Sequence, residues 1–261
     1  MSMLAPFTAV PAAPGALPDA LILCDHAGRA IPEAYGNLGL PPSVFERHIA
    51  YDIGAAGVTR VLAAELGAPA LMANFSRLLI DSNRGPDDPT LVMRLSDGAI
   101  VPGNARVDDA EIARRKADWW GPYQGAISGR IDAMIAAGLP PVLVSVHSFT
   151  PAWKGVPRPW HVGVLWDRDD RLARPLLDAL AAEGDLVVGD NEPYDGALVG
   201  DTMYRHGTQR GLAHALIEVR QDLIADAAGQ TAWGRRLARI LRPILAVPDL
   251  HEIRHFGSRT G

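Results

Sequence analysis

The chain predicts an α/β fold whose mostly parallel sheet is covered by helices on both faces. Three observations carry this. Short continuous apolar runs, bounded by Pro, Gly or polar turns, recur along the 261 residues, and such runs read as buried strands. Amphipathic segments with helix start and stop signals lie between them, and that alternation favours parallel pairing. The composition, 48% hydrophobic and 21% charged, is that of an ordinary globular protein.

The elements follow in order. Residues 1–18 form an extended arm rich in Ala and Pro. Ala20–Cys24 is a buried strand that runs into the polar turn Asp25-His26-Ala27-Gly28. Ser43, with Glu46 at the capping-box position, opens a helix through Phe45 and Ile49. A second helix covers Ile53–Leu66 and stops at Gly67. Residues 70–74 and 78–80 read as strands, and residues 86–106 as irregular. Asp108, with Glu111 three residues on, opens a helix reaching Ala137, broken at Gly121-Pro122 and ended by Gly138. Strands are expected at 141–146, 160–166, 186–188 and 213–218. Helices are expected at 171–183 and 231–245, and a loop at 191–201. No repeat or interdomain linker is visible, so one domain over residues 1–261 is the expectation.

Some function classes are disfavoured. The net charge is −5 and the arginines are interleaved with acids, so the basic footprint of a nucleic-acid binder is missing. Cys24 is the single cysteine, which suits a reducing compartment. The first twenty residues lack a basic region and are broken by Pro11, Pro14 and Pro18, unlike a signal peptide. The apolar stretch at 139–146 is too short to span a bilayer. The expectation is a cytoplasmic protein that partners neither nucleic acid nor membrane; the oligomeric state stays open.

Polar residues fall at strand ends. His26 follows the first strand, His147 follows the most apolar one, and Glu218 ends or follows a late one. In a parallel sheet these three could converge on one edge, where ligands gather in such folds. Two neutral imidazoles and a carboxylate are a common catalytic zinc set, with water in the fourth position. Asp52, in His48-Ile-Ala-Tyr-Asp52, is the first choice for the third ligand. Asp25 stays open as third ligand or as a partner that orients an imidazole. No His-Glu-x-x-His signature is present, and an isolated His at a strand end is more often a hydrogen-bonded structural residue.

Arg77 and Asp81-Ser-Asn83-Arg84 form a second constellation. Arg84 and Asn83 could grip a carboxylate, and Arg77 could hold a developing oxyanion. The bland alternative is a structural Arg77–Asp81 pair. The loop from Asn191-Glu-Pro-Tyr194 to His206-Gly207 lines a site or is plain surface. Glu218 reads as a general base or as a strand-end partner of Arg220. His161 reads as a satisfied core histidine, His48, one turn before Asp52, as surface in preference to a residue supporting the metal site, His251 and His255 as solvated, and Trp119 and Trp120 as core. Ser148 has no Gly-x-Ser-x-Gly elbow around it, which disfavours a serine hydrolase. Gly28 lacks the companion glycines of a nucleotide motif.

Taken together, Cys24–Pro32, His48–Gly54, Ser76–Arg84, Val146–Ser148, Asn191–Tyr194 and Ile217–Asp222 resemble the N-formylglutamate amidohydrolase family over roughly residues 20–245. The resemblance implies a phosphorylase/hydrolase-like, three-layer α/β/α sandwich with a mostly parallel mixed sheet, akin to zinc carboxypeptidases. It implies one zinc ion held by His26 and His147, with Glu218 as general base, Arg77 polarising the scissile carbonyl, and Asn83 and Arg84 holding a substrate carboxylate. The implied substrate is a small acidic N-acyl amino acid. One position departs from carboxypeptidase relatives: Arg29 stands where they place a Glu ligand three residues after the first His. Either Asp52 takes that role or the metal site differs. Two rival readings remain, a carboxypeptidase-like peptidase and a non-catalytic binder of acidic metabolites.

Overall fold

The computed structural model describes residues 4–14, 19–96 and 98–260. Its elements are β1 (Phe7–Val10), β2 (Ala20–Cys24), α1 (Ala55–Leu66), β3 (Ala70–Ala73), β4 (Leu95–Ser96), β5 (Ala99–Ile100), α2 (Asp109–Arg115) and α3 (Gly121–Ala136). There follow β6 (Val142–Phe149), β7 (Ala152–Trp153), β8 (Val156–Pro157), β9 (Val162–Leu165), α4 (Ala173–Ala181), β10 (Val188–Asp190), α5 (Thr202–His206), β11 (His214–Arg220) and α6 (Ala227–Leu245).

Seven strands form one mixed sheet in the order β1-β3-β2-β6-β11-β9-β10. The central strands β3, β2, β6 and β11 are mutually parallel. β9 runs antiparallel to β11, and β1 antiparallel to β3. Alternate strand residues point to opposite faces. Ile22, Val144 and Ile217 meet α1, α4 and α6 on one face. Leu23, Leu143 and Leu216 meet α3 and the 75–92 segment on the other. This is the expected three-layer α/β/α arrangement. No helix among the described residues is long and apolar enough to cross a membrane.

Several local signals hold. Gly67 ends α1 with φ 69°, in the left-handed region that costs glycine little. The Asp108 carboxylate accepts from Glu111 N at 2.9 Å and starts α2. Trp119 is buried against Phe75; the His161 ring accepts from Val187 N at 2.8 Å, so it is satisfied, but at a partly exposed position and not in the core.

Other expectations are corrected. The arm is not merely extended, since Phe7–Val10 pairs as an edge strand; its residues 1–3 and 15–18 lie outside the described residues. Leu78-Leu-Ile80 is a buried turn and not a strand. Ser76 Oγ accepts from Leu78 N at 3.2 Å, and the Leu78 and Leu79 carbonyls are taken by Asn104 and Arg115. Side chains thus satisfy backbone groups that a neighbouring strand would otherwise satisfy. Ser43 caps no helix: Pro42–Glu46 is a single 3₁₀ segment entered from Pro41, and the chain is extended again at Arg47. The helical path does not break at Gly121-Pro122. A π-turn over Lys116–Trp120 leads straight into α3 and accommodates the missing proline N–H. The last helix starts at Ala227, where the Asp226 carboxylate accepts from Gly229 N. His251 is not solvated, since its ring reaches the carbonyls of Pro140 and Leu245.

Candidate metal and catalytic site

The parallel register sets the site. β6 and β11 extend beyond the expected strands, so His147 and Glu218 lie inside them and face each other directly. Both belong to the rows of alternate residues that include Leu143 and Leu216. Their side chains therefore stand on the α3 side of the sheet, at its carboxyl edge. His26 sits on the turn just past β2, and Asp52 N donates to His26 O at 2.9 Å, which brings the 48–54 segment over the same edge. Gly54, at φ 81°, then turns the chain into α1. A side chain there would collide with the Ile224 backbone.

Three donor atoms, one each from His26, Asp52 and His147, lie within 4.8 Å of one another, and all three residues are buried. The two rings meet edge to face at 5.0 Å. His147 Nδ1 is 2.8 Å from Asp52 Oδ2, and His26 Nδ1 is 3.5 Å from the same oxygen. The opposite nitrogens are fastened elsewhere. His26 Nε2 bonds Asp81 Oδ1 at 2.7 Å. His147 Nε2 is 3.2 Å from Asp25 Oδ2 and 3.1 Å from Ser145 Oγ. Asp25 is held in turn by Thr202 Oγ1 at 2.6 Å. A carboxylate behind each imidazole orients its ring, so both Nδ1 atoms face Asp52 Oδ2. This arrangement places Asp52 with the two Nδ1 atoms and Asp25 behind a ring.

The donor set fits a divalent cation. His26 Nδ1 is buried with no hydrogen-bond partner, a cost that bound metal removes. Burial alone would push the His147 imidazole down, but its bonds to Asp25 and Asp52 raise it to about 10. Burial opposes charge on Asp52 too, yet Arg77, His26 and His147 hold its carboxyl well below the usual range. Asp81 is likewise held low, against burial, by His26, Arg84 and Arg77. Both carboxylates are therefore ionised at neutral pH.

Glu218 lines the same cavity, of about 370 Å³. It is 6% exposed, and its Oε2 has no partner. Burial, reinforced by Asp52, pushes its carboxyl up to about 7 against the pull of His147 and Arg77. A carboxylate poised near neutrality can take a proton and return it. The suggested Glu218–Arg220 pair does not form, because Arg220 pairs with Asp222. Nor does Arg77 pair with Asp81: its guanidinium bonds Asp52 Oδ1 and lines the cavity. Asn83 and Arg84 also line it. The Asn83 carbonyl oxygen accepts from Thr202 N at 3.0 Å, which leaves its amide N–H₂ as the group it can offer. The Arg84 side chain is one-third exposed. Arg29 is outside, pairing with Glu46 over the Tyr51 ring.

Sequence reasoning missed several residues. His48 was expected at the surface; it is largely buried, lines the cavity and sits 3.6 Å from Asp52 Oδ1. Its i, i+4 spacing to Asp52 was the available signal. Tyr194 and Gly196 of the flagged loop line the cavity, whereas Asn191 is structural, its Oδ1 accepting from Trp166 N and Gly196 N. The loop crosses the sheet beside Glu218, because the neighbouring position is Gly163, where any side chain would strike Glu192 O. The roles of Thr202 and Asp81 as anchors were invisible, since each depends on a contact across more than fifty residues.

Comparisons agree with this architecture. A gene product of Agrobacterium tumefaciens of known structure is 35% identical, with a TM-score of 0.87 over 93% of this chain and 96% of that one. A structure of N-formylglutamate amidohydrolase from Ralstonia eutropha JMP134 is similar in fold, at 22% identity and a TM-score of 0.68 over 94% of this chain and 99% of that one. No curated protein matches. The family model for N-formylglutamate amidohydrolase matches residues 19–225, and the chain therefore belongs to the N-formylglutamate amidohydrolase family.

Proposed function

We propose that the protein is a zinc-dependent amidohydrolase that cleaves the amide of an N-acyl amino acid such as N-formyl-L-glutamate, releasing the amino acid and a short carboxylic acid. The observation that carries this is the pair of buried imidazoles converging with Asp52, beside a Glu218 with an unpartnered oxygen. His26, Asp52 and His147 would hold the metal. Bound there, zinc supplies Lewis acidity and lowers the pKa of a water to roughly 7.

The residues of the chain do the rest. Glu218 takes a proton from the attacking water and hands it to the leaving amine. Water's oxygen joins the acyl carbon, and the C–N electron pair leaves with the amine. Arg77, fixed by Asp52, supports the oxyanion on the substrate carbon. Asn83 and Arg84 receive the amino-acid carboxylate. The non-catalytic reading drew on Arg29, which is occupied by Glu46 away from the cavity.

The test is metal content and turnover of N-formyl-L-glutamate, for wild type beside His147→Ala. About one zinc per chain is expected, as in mononuclear catalytic sites, and the variant is expected to lose both metal and turnover. Wild type that takes up no zinc on reconstitution, or a metal-free variant that keeps turnover, would sink the reading.

A further inference from the structure

A second cavity, of about 310 Å³, adjoins the first. His48, which lies against Asp52, lines both. Asn83 and Arg84 line only the larger cavity; Thr150 and Trp153 line only the smaller. The metal-ligand cluster lines the larger cavity with Arg84, and His48 divides it from a second space not yet assigned a ligand.

Arg158 lines neither cavity itself but touches residues of both. Its guanidinium lies over three rings: Tyr194 at 5.0 Å, Trp153 at 5.5 Å and Phe149 at 5.9 Å. Tyr194 lines the larger cavity and Trp153 the smaller, and Arg158 links the two rings. Nη1 bonds Tyr194 Oη at 3.1 Å and Thr150 Oγ1 at 3.2 Å. Those partners are neutral, and among the described residues no carboxylate pairs with this half-buried cation. Lys154 lies over the outer Trp153 ring and adds a second positive charge. The one carboxylate lining the smaller cavity, Glu46, is taken by Arg29. The guanidinium plane is thus fixed by stacking, yet keeps Nε and Nη2 for a ligand.

We propose that Arg158, with Trp153 and Tyr194, forms an acyl-group subsite that selects an acyl chain longer than formyl and ended by a carboxylate. The substrate would be the monoamide of a short dicarboxylic acid with an amino acid. This rests on the hydrolase reading and on Arg84 holding the amino-acid end. The reaction is unchanged: water's oxygen joins the acyl carbon, the C–N bond breaks, and the amine leaves with its electron pair and a proton. The products are a free dicarboxylate and an amino acid.

The experiment compares kcat/KM for N-butanoyl- and N-(3-carboxypropanoyl)-L-glutamate, with N-formyl-L-glutamate alongside, on zinc-supplied wild type, Arg158→Gln and Arg158→Lys. The first two acyl chains share a backbone and differ in the terminal carboxylate. Wild type is expected to favour the carboxyacyl substrate by about 10- to 100-fold, as a charge-assisted bond implies. In Arg158→Gln the ratio falls to about one, through KM, while Arg158→Lys keeps part of it. Calorimetric titration with butanedioate against butanoate gives a second readout that needs no turnover. The subsite stands if butanedioate binds more tightly to wild type only, even if no amide is cleaved; the hydrolase reading then fails by itself. Cleavage of N-formyl-L-glutamate with a substrate ratio near one, or a ratio retained in Arg158→Gln, overturns the subsite and leaves the hydrolase reading intact.

Discussion

The two faces of the central strands differ in how far they stay apolar. Facing α1, α4 and α6, β6 presents Val142, Val144 and Val146, and β11 presents Ala215, Ile217 and Val219, all fully buried. On the other face the same strands carry Leu143 and Leu216 but also His214, Ser145, His147 and Glu218. Adjacent residues of one strand thus serve opposite purposes. The apolar face gains stability from burial. The other face bears the desolvation cost of buried carboxylates and imidazoles, which partners offset in large part; Glu218 Oε2, His26 Nδ1 and His48 Nδ1 are among the atoms left without a hydrogen-bond partner. Stability and chemistry are separated by the two-residue period of a strand.

This contrast can be broken from either side. The largest expected effect is Glu218→Gln, which should lower kcat for N-formyl-L-glutamate by about 10²- to 10⁴-fold without loss of zinc. Wild-type rate should rise with pH as Glu218 ionises, below the value of about 7 that burial sets in the metal-free protein because the cation favours the carboxylate, and the rising limb should vanish in the variant. Retained turnover would remove Glu218 from the role of base. The same change should raise stability. A carboxyl pushed up by folding contributes stability that is complete below its unfolded value of 4.5 and lost as pH rises through about 7. Metal-free Glu218→Gln should therefore melt above metal-free wild type at pH 8 and level with it near pH 4. Equal melting at both pH values would mean that ionised Glu218 carries no burial cost.

A smaller effect is expected from Asp81→Asn, which leaves all three donors in place but loosens the His26 ring. Zinc affinity should fall about 10- to 100-fold, measured by competition with a chelator. An unchanged affinity would show that the ring is held by packing alone. On the opposite face, Leu237→Ala, fully buried in α6, should cost about 2–5 kcal/mol in denaturant unfolding. Its kcat/KM should stay at the wild-type value wherever the variant is folded. A loss of turnover in folded Leu237→Ala would show that the two faces are coupled.

The strands at 20–24 and 70–73, the helix stop at Gly67 and the Asp108 cap were all legible, because each is written in neighbouring residues. His26, His147 and Glu218 were legible as strand-end polar residues in a parallel array. Leu78–Ile80 was misread because periodicity reports burial and not what satisfies the backbone, which here is Asn104 and Arg115. His48 was read first as surface because its i, i+4 spacing to Asp52 does not report burial, which the fold around the cavity decides.

What the sequence determined by itself is therefore local: the apolar runs, their α/β alternation, and which polar residues stand at the ends of strands. Tertiary structure decided the rest. Strand order placed β2 beside β6 and β6 beside β11. The 48–54 segment, bonded to His26 O, delivered Asp52 to the two Nδ1 atoms and left Asp25 behind His147. The physical reason is reach. Hydrogen bonds and charge pairs act over a few ångströms of space, and the partners that choose each tautomer and protonation state here lie tens of residues apart along the chain.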